Sequence, residues 1–304
     1  MSIVVIGGSN GVHLAEKIAI VGGYNHSQVV VSRFPDGELY VRIPIDVSDK
    51  VVIYVNSLQR NPNESLIETF LTIDALRDLG AKKLIAVIPY MSYARQDSRF
   101  KPGEAISILT IAKLFRALNI DYIITVDLHL HRISDLSSLF GNRVINITGV
   151  RDIARYYYTN YPEFVKNTVV AGPDEEAEQW VRIAADELGG VEYGVMYKTR
   201  ISADKVIIEP RGVNVKGKSV LLIDDIISTG GTIVEAVKAL REQGASEVFV
   251  GVVHAILIGD ALGKLVSLGL KDLYSTDTIL SPITKVSVAR TIQKHLEEII
   301  EKIL

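Results

Sequence analysis

The chain has 304 residues, 48% of them hydrophobic and 23% charged, with a formal net charge of -3. That length favours two domains of about 150 residues each, and the composition is that of a globular protein. The near-balanced charge gives no reason to expect nucleic acid or a membrane surface as a partner, and the lack of cysteine excludes disulfides, thiolate metal sites and a cysteine nucleophile.

The chain opens on a strand-like Ile3-Val4-Val5-Ile6 with no basic segment leading into a signal core. No apolar run approaches the roughly 18 residues a membrane helix needs, so a cytoplasmic protein is expected. From there strand and helix alternate. Short apolar, β-branched runs predict strands near 3–6, 51–55, 84–88, 122–126, 169–171, 193–197, 206–208, 220–223 and 248–253. Helical spacing falls near 12–20, 63–79, 105–118, 151–160, 176–188, 233–243, 260–268 and 288–303. Asn61-Pro62-Asn63-Glu64 reads as a helix start, with Asn61 as cap, Pro62 in the first helical position and Glu64 placed to complete a capping box. Such alternation implies an α/β protein of two similar domains, each a mostly parallel sheet flanked by helices. The least periodic stretch, Leu130 to Asn142, marks the boundary.

Several polar strings interrupt this pattern. Arg33-Phe34-Pro35-Asp36-Gly37-Glu38 is a turn by composition, leading into alternating Leu39, Val41 and Ile43, and by itself it is a plain β-turn. Ile88 to Asp97 follows a buried strand and ends in a polar cluster. In it Arg95 can grip a phosphate bidentately and Gln96 can read a base edge, although a solvated loop explains the segment equally well. Asp127 and His129 lie just past another buried strand, and a carboxylate and an imidazole two residues apart can both contact a hydrated Mg²⁺. His131 competes with His129 for that role, and a histidine at a strand end is also a common structural feature.

The second half is organised around residues 219–243. The apolar run Val220 to Ile223 predicts a buried strand, and apolar residues at 233, 236, 237 and 240 predict a helix closed by Gly244. Between them lie Asp224 and Asp225, then Ser228, Thr229, Gly230, Gly231 and Thr232. Backbone N–H groups and hydroxyls at a helix N-terminus favour an anion, and glycine lets the main chain approach it closely. A phosphate cradle beside carboxylates that accept sugar hydroxyls suits a sugar phosphate.

The strings Phe-Pro-Asp-Gly-Glu, Tyr-Ala-Arg-Gln-Asp, Val-Asp-Leu-His and Asp-Asp…Thr-Gly-Gly-Thr occur here in the order found in the ribose-phosphate diphosphokinase (phosphoribosyl pyrophosphate synthetase) family, which this chain resembles over nearly its whole length. The last string resembles the phosphoribosyl pyrophosphate loop of the type I phosphoribosyltransferase fold. The resemblance implies transfer of the β,γ-diphosphate of MgATP to O1 of ribose 5-phosphate, giving phosphoribosyl pyrophosphate and AMP. It places Phe34, Asp36 and Glu38 in one ATP-binding turn, Arg95, Gln96 and Asp97 in a second, and His129 and Asp174 at Mg²⁺. Asp224, Asp225 and the 228–232 loop take ribose 5-phosphate, and Lys198 and Arg200 match the catalytic Lys-x-Arg. The Phe34-type turn serves a neighbouring subunit in that family, which implies a homo-oligomer with its ATP site at a subunit interface. The resemblance also folds the last helix back on the first half, giving domains of 1–143 with 283–304, and of 144–282.

The chain departs from the family pattern at two places. Glu175, Glu176 and Ala177 follow Asp174 where glycine is usual, which favours an acidic first helical turn over a backbone cradle, and Ser228 stands where Asp is common. A phosphoribosyltransferase would share the 224–232 loop without needing the Asp36 turn or the Arg95 segment. A non-catalytic regulatory paralogue would be expected to lose residues that are present here. A dinucleotide-binding dehydrogenase fits poorly, because Gly7-Gly8-Ser9-Asn10-Gly11 lacks the required glycine spacing.

Overall fold

Most of the β-branched runs form strands buried on both faces, as a parallel sheet requires. The computed structural model describes residues 2–130, 132–133, 135–141, 143–202 and 205–303, with the backbone alone for 198–202 and 205–211. It divides into two compact units, residues 1–147 with 288–304, and residues 148–287.

The first unit begins with β1 (Ile3–Gly7), α1 (Val12–Gly22), β2 (Asn25–Gln28), β3 (Val30–Arg33), β4 (Leu39–Arg42) and β5 (Val51–Val55). It continues through α2 (Pro62–Asp78), β6 (Lys83–Val87), α3 (Ser107–Ala117), β7 (Tyr122–Val126), α4 (Leu136–Phe140) and β8 (Val144–Ile147). Its main sheet runs β2-β1-β5-β6-β7-β8, parallel throughout, while β3 and β4 form a separate antiparallel hairpin. Val4, Ile6, Val52, Tyr54, Leu84 and Ala86 on the sheet pack with Ile73, Leu76, Ile108 and Phe115 on helices. Each such aliphatic side chain removed from water is worth about 1.5–3 kcal/mol.

The second unit comprises α5 (Val150–Asn160), α6 (Pro162–Val165), β9 (Thr168–Gly172), a single 3₁₀ turn at Glu175–Ala177, α7 (Glu178–Glu187), β10 (Tyr193–Ser202), β11 (Lys205–Arg211) and β12 (Ser219–Ile227). Then come α8 (Gly231–Glu242), β13 (Glu247–Ala255), α9 (Ala261–Ser267), β14 (Asp272–Thr276) and β15 (Thr284–Val286). The sheet order is β11-β10-β9-β12-β13-β14-β15, parallel except for the β10–β11 pair. The final helix, α10 (Ala289–Ile303), belongs to the first unit, where it packs on α1 and Gln293 Nε2 donates to the Tyr24 hydroxyl at 2.9 Å.

The expected α/β class with two mostly parallel sheets is what forms. Several details differ from the sequence reading. The capping box at Asn61 does not form: no side chain caps α2, because Glu64 accepts from the Arg33 guanidinium and from Asn61 Nδ2 at 3.3 Å. Strands β2, β3, β8, β14 and β15 escape the periodicity, β2 because Asn25 to Gln28 is a polar edge strand. β14 hides behind hydroxyls that are satisfied internally, with Thr276 Oγ1 donating to the Val253 carbonyl at 2.7 Å. Among the described residues, no helix is long and apolar enough to cross a membrane.

Candidate active site

In the second unit, β12 runs beyond the expected run at 220–223 and carries both aspartates within the strand, with Asp224 opposite Val252 of β13. Asp225 is buried and Asp224 half-buried, and the Asp225 N–H donates to Asp224 Oδ1 at 3.0 Å. The chain then turns through Ser228 and Thr229. This turn is held from beneath: the Ile256 and Leu257 N–H groups both donate to the Ile227 carbonyl (3.0 and 3.1 Å), and the Ile258 N–H donates to the Ser228 carbonyl (2.9 Å). These buttressing residues 256–258 carry no signal in the sequence beyond following a buried strand.

Helix α8 starts at Gly231 without a side-chain cap, so its first amides keep their hydrogen-bonding capacity for a bound group. Gly230 precedes it at φ 78°, a left-handed conformation that costs other residues roughly 1–2 kcal/mol. A methyl group there would find ordinary contact distances, with Leu265 Cγ at 3.5 Å, so the backbone angle and not the space calls for glycine. Thr229, Gly231 and Thr232 are exposed, and a Cβ on Gly231 would meet only Thr229 Oγ1, at 4.0 Å. The loop is therefore an exposed run of small residues at the positive end of an uncapped helix, shortly after two carboxylates, an arrangement suited to an anion carrying hydroxyls.

Asp174 follows β9 and caps the 3₁₀ turn, its Oδ1 accepting from the Glu176 N–H at 3.1 Å. The side chains of Glu175 and Glu176 are exposed, in an acidic first turn of the kind the sequence favours over a phosphate cradle. Burial, then the charge of Glu176 and also that of Asp225, pushes the Asp174 carboxyl above the ordinary carboxylate range. Asp224 is pushed well above it, by burial first and then by Asp225 and Asp174. Asp174 after β9 and the Asp224–Asp225 pair within β12 thus lie within electrostatic range of one another. Among the described residues, no group of three or more His, Asp or Glu side chains stands ready-made to enclose a metal ion.

Lys198 and Arg200 lie on β10, opposite Ile208 and Val206 of β11, with a register irregularity just beyond, between Arg200 and Ser202. Their side chains lie outside the described residues, as does all of His131.

In the first unit, the 33–38 turn is the tip of the β3–β4 hairpin. The Phe34 N–H donates to the Glu38 carbonyl (2.9 Å), the Gly37 N–H to the Phe34 carbonyl (2.9 Å), and the Glu38 N–H to Asp36 Oδ1 (3.2 Å). Phe34, Asp36 and Glu38 are all exposed there, and the Phe34 ring meets Tyr40 edge-on at 6.0 Å. In the 93–97 segment the side chains diverge. Arg95 is exposed, Gln96 Nε2 donates to the Ser98 carbonyl at 2.9 Å, and Asp97 is buried against Arg132. Glu104 organises the rest of this loop, its Oε2 accepting from the amides of Phe100 (2.8 Å) and Lys101 (3.0 Å), and those bonds hold its carboxyl below the ordinary range. The sequence reading singled out neither Glu104 nor Arg132. Asp127 is buried at φ 37° and its N–H donates to the Ile147 carbonyl at 2.8 Å, while His129 is half-buried two residues on. A non-glycine residue at positive φ immediately after a strand is the kind of local strain that functional segments retain.

A family model of the N-terminal domain of ribose phosphate pyrophosphokinase matches residues 3–118, and a phosphoribosyl transferase domain model matches residues 145–264. The chain is 38% identical to the ribose-phosphate pyrophosphokinase of Methanopyrus kandleri over 296 residues, covering 97% of this chain and 99% of that protein. It is 37% identical to ribose-phosphate pyrophosphokinase 1 of Archaeoglobus fulgidus, again across 97% of this chain and 99% of the relative. Among solved structures, phosphoribosylpyrophosphate synthetase from Mycobacterium smegmatis matches with a TM-score of 0.87 at 28% identity, over 99% of this chain and 100% of that one.

Proposed function

The chain belongs to the ribose-phosphate pyrophosphokinase family, and from that premise we propose that it transfers the β,γ-diphosphate of MgATP to O1 of ribose 5-phosphate. The anomeric hydroxyl oxygen bonds to the β-phosphorus, the bond from that phosphorus to the α,β-bridging oxygen breaks, AMP leaves with that oxygen, and the hydroxyl proton passes to solvent. No covalent enzyme intermediate is needed. Catalysis comes from positioning and from electrostatic stabilisation of the transferred group.

The observation that carries this reading is the 224–232 segment, where a strand carrying two carboxylates near its end leads into an uncapped helix start flanked by exposed residues. In the proposal, Ser228 to Thr232 hold the 5-phosphate, with the Ser228 hydroxyl as a donor in place of the family's usual Asp. Asp224 and Asp225 accept the ribose hydroxyls. Arg95 and Gln96, with Asp97, form one ATP-binding segment, and Phe34, Asp36 and Glu38 the other. Lys198 and Arg200 offset charge on the β-phosphate as it transfers. Mg²⁺, when bound, neutralises the ATP phosphates, with Asp174 and His129 as its candidate protein contacts.

The exposed hairpin tip at Phe34 supports a homo-oligomer in which that tip serves the site of a neighbouring copy. The enzyme belongs, in this reading, in the cytoplasm at the supply of phosphoribosyl groups for nucleotide synthesis. Incubation with ribose 5-phosphate and γ-labelled MgATP tests the reaction. The label is expected in a diphosphorylated sugar, with stoichiometric AMP. Label released as orthophosphate, or a diphosphate release that depends on an added base, overturns it.

A further inference from the structure

We propose that Asp97 is a positioning residue that acts through Arg132, tying the segment of Arg95 to the loop after β7 that carries His129. The inference rests on the reading of residues 95–96 as an ATP-binding segment. Both carboxylate oxygens of Asp97 are engaged by Arg132. Oδ2 accepts from the Arg132 backbone N–H at 2.8 Å and Oδ1 from Arg132 Nη1 at 3.2 Å, and the Asp97 side chain is only 2% exposed. The Arg132 guanidinium also lies over the Phe100 ring, 5.0 Å from its centre, so a single arginine touches the 95–104 loop at two points.

The three polar residues of the motif therefore divide their work. Arg95 stays exposed on a backbone whose preceding residue, Ala94, is buried. Gln96 is drawn inward to the Ser98 carbonyl, and Glu104, which holds the Phe100 and Lys101 amides, lies within 3.4 Å of the same amide nitrogen. Asp97 closes the loop onto residue 132, 35 positions away in sequence. A carboxylate facing ATP would repel its phosphates, whereas one buried between two donors is spent on geometry and leaves Arg95 as the cation presented to the nucleotide.

The test compares Asp97→Asn, Arg132→Met and the double variant. Asn in place of Asp97 turns one acceptor into a donor facing another donor. Met at position 132 removes the guanidinium and leaves its backbone amide. Both single variants are expected to raise KM for ATP by about tenfold and leave kcat and the KM for ribose 5-phosphate within about twofold, and the double variant is expected to be no worse than Asp97→Asn alone. Arg132→Lys, which keeps a charge and a donor, should recover part of the loss. Calorimetric Kd for ATP is expected to follow KM, so a chain without diphosphokinase turnover sinks the proposed reaction and still decides the role of Asp97.

Two results overturn the inference. If Asp97→Asn weakens ATP while Arg132→Met leaves it at the wild-type value, Asp97 does not act through the Arg132 side chain and the proposed role falls. If both variants lower Tm with ATP affinity unchanged, the pair is only part of the scaffold. Since Arg132 is about half exposed, its substitution is readable even where an Asp97 variant fails to fold.

Discussion

Asp224 lies half-buried beside Asp225 and feels the charge of Asp174, and its carboxyl is pushed well above the ordinary value of 3.8, by burial first and then by those charges. The folded chain thus holds this proton to a higher pH than the unfolded chain does. Its contribution to stability is full below 3.8 and is lost as pH rises through the folded value. Asp224→Asn carries no charge to penalise. It is expected to match the wild-type Tm in acid below that value, to exceed it at about pH 7, and to bind ribose 5-phosphate poorly; a Tm series across pH with a parallel binding titration checks this. Equal melting at neutral pH would mean that the carboxylate cluster is not strained. Lys198→Ala makes the complementary case. If its ammonium acts only on the transferring group, turnover falls about 10²–10³-fold while KM for both substrates stays near wild type, as steady-state AMP release would show.

At the scale of the element, α8 is set by a glycine at each end for two different purposes. Gly230 gives the left-handed turn that aims the helix start at the 228–232 loop. At the other end Gly244, at φ 87°, donates to the Arg241 carbonyl (2.9 Å) while Ala245 donates to that of Leu240 (3.0 Å), satisfying the last turn of the helix. Alanine at either position is expected to cost about 1–2 kcal/mol of stability by denaturant melts. Only Gly230→Ala should also raise KM for ribose 5-phosphate, whereas Gly244→Ala should leave it unchanged. The helix itself was legible from Ile233, Ala236, Val237 and Leu240, all of them buried, and so was Gly244 as its stop. The extension of β12 through Asp224 and Asp225 was not, because charged residues inside a strand break the apolar run that signals it. Strand β14 was hidden for a related reason: Ser275 and Thr276 look like loop residues until their hydroxyls find buried partners. Nor can periodicity show that Glu64 pairs with Arg33 or Asp97 with Arg132, since each pair closes across more than thirty residues. The anion-binding loop is local in sequence and was readable there. The Asp97–Arg132 pair that ties down the 95–104 loop is tertiary and was not.

At the scale of the whole molecule, the second unit is one continuous stretch and the first is not. Helix α10 supplies Ile292, Leu296, Ile299 and Ile300 to the first unit as buried side chains. At about 1.5–3 kcal/mol each, their exposure would match the entire net stability of an ordinary domain. Removing residues 289–304 is therefore expected to abolish cooperative unfolding of the first unit and leave a transition for residues 148–287, read by calorimetry or by hydrogen exchange resolved along the chain. A truncated chain that keeps protection throughout β1 and β5 would show that α10 is dispensable.

The same discontinuity sets an order of events during synthesis. Emerging from the ribosome at about 5–20 residues per second, residues 148–287 are complete before the segment that finishes the earlier-made portion exists at all. The nascent chain must carry the side of α1 that α10 covers unsheathed until that helix is made. The half made last is free to mature first, and the C-terminus serves as the clasp that closes the half made first.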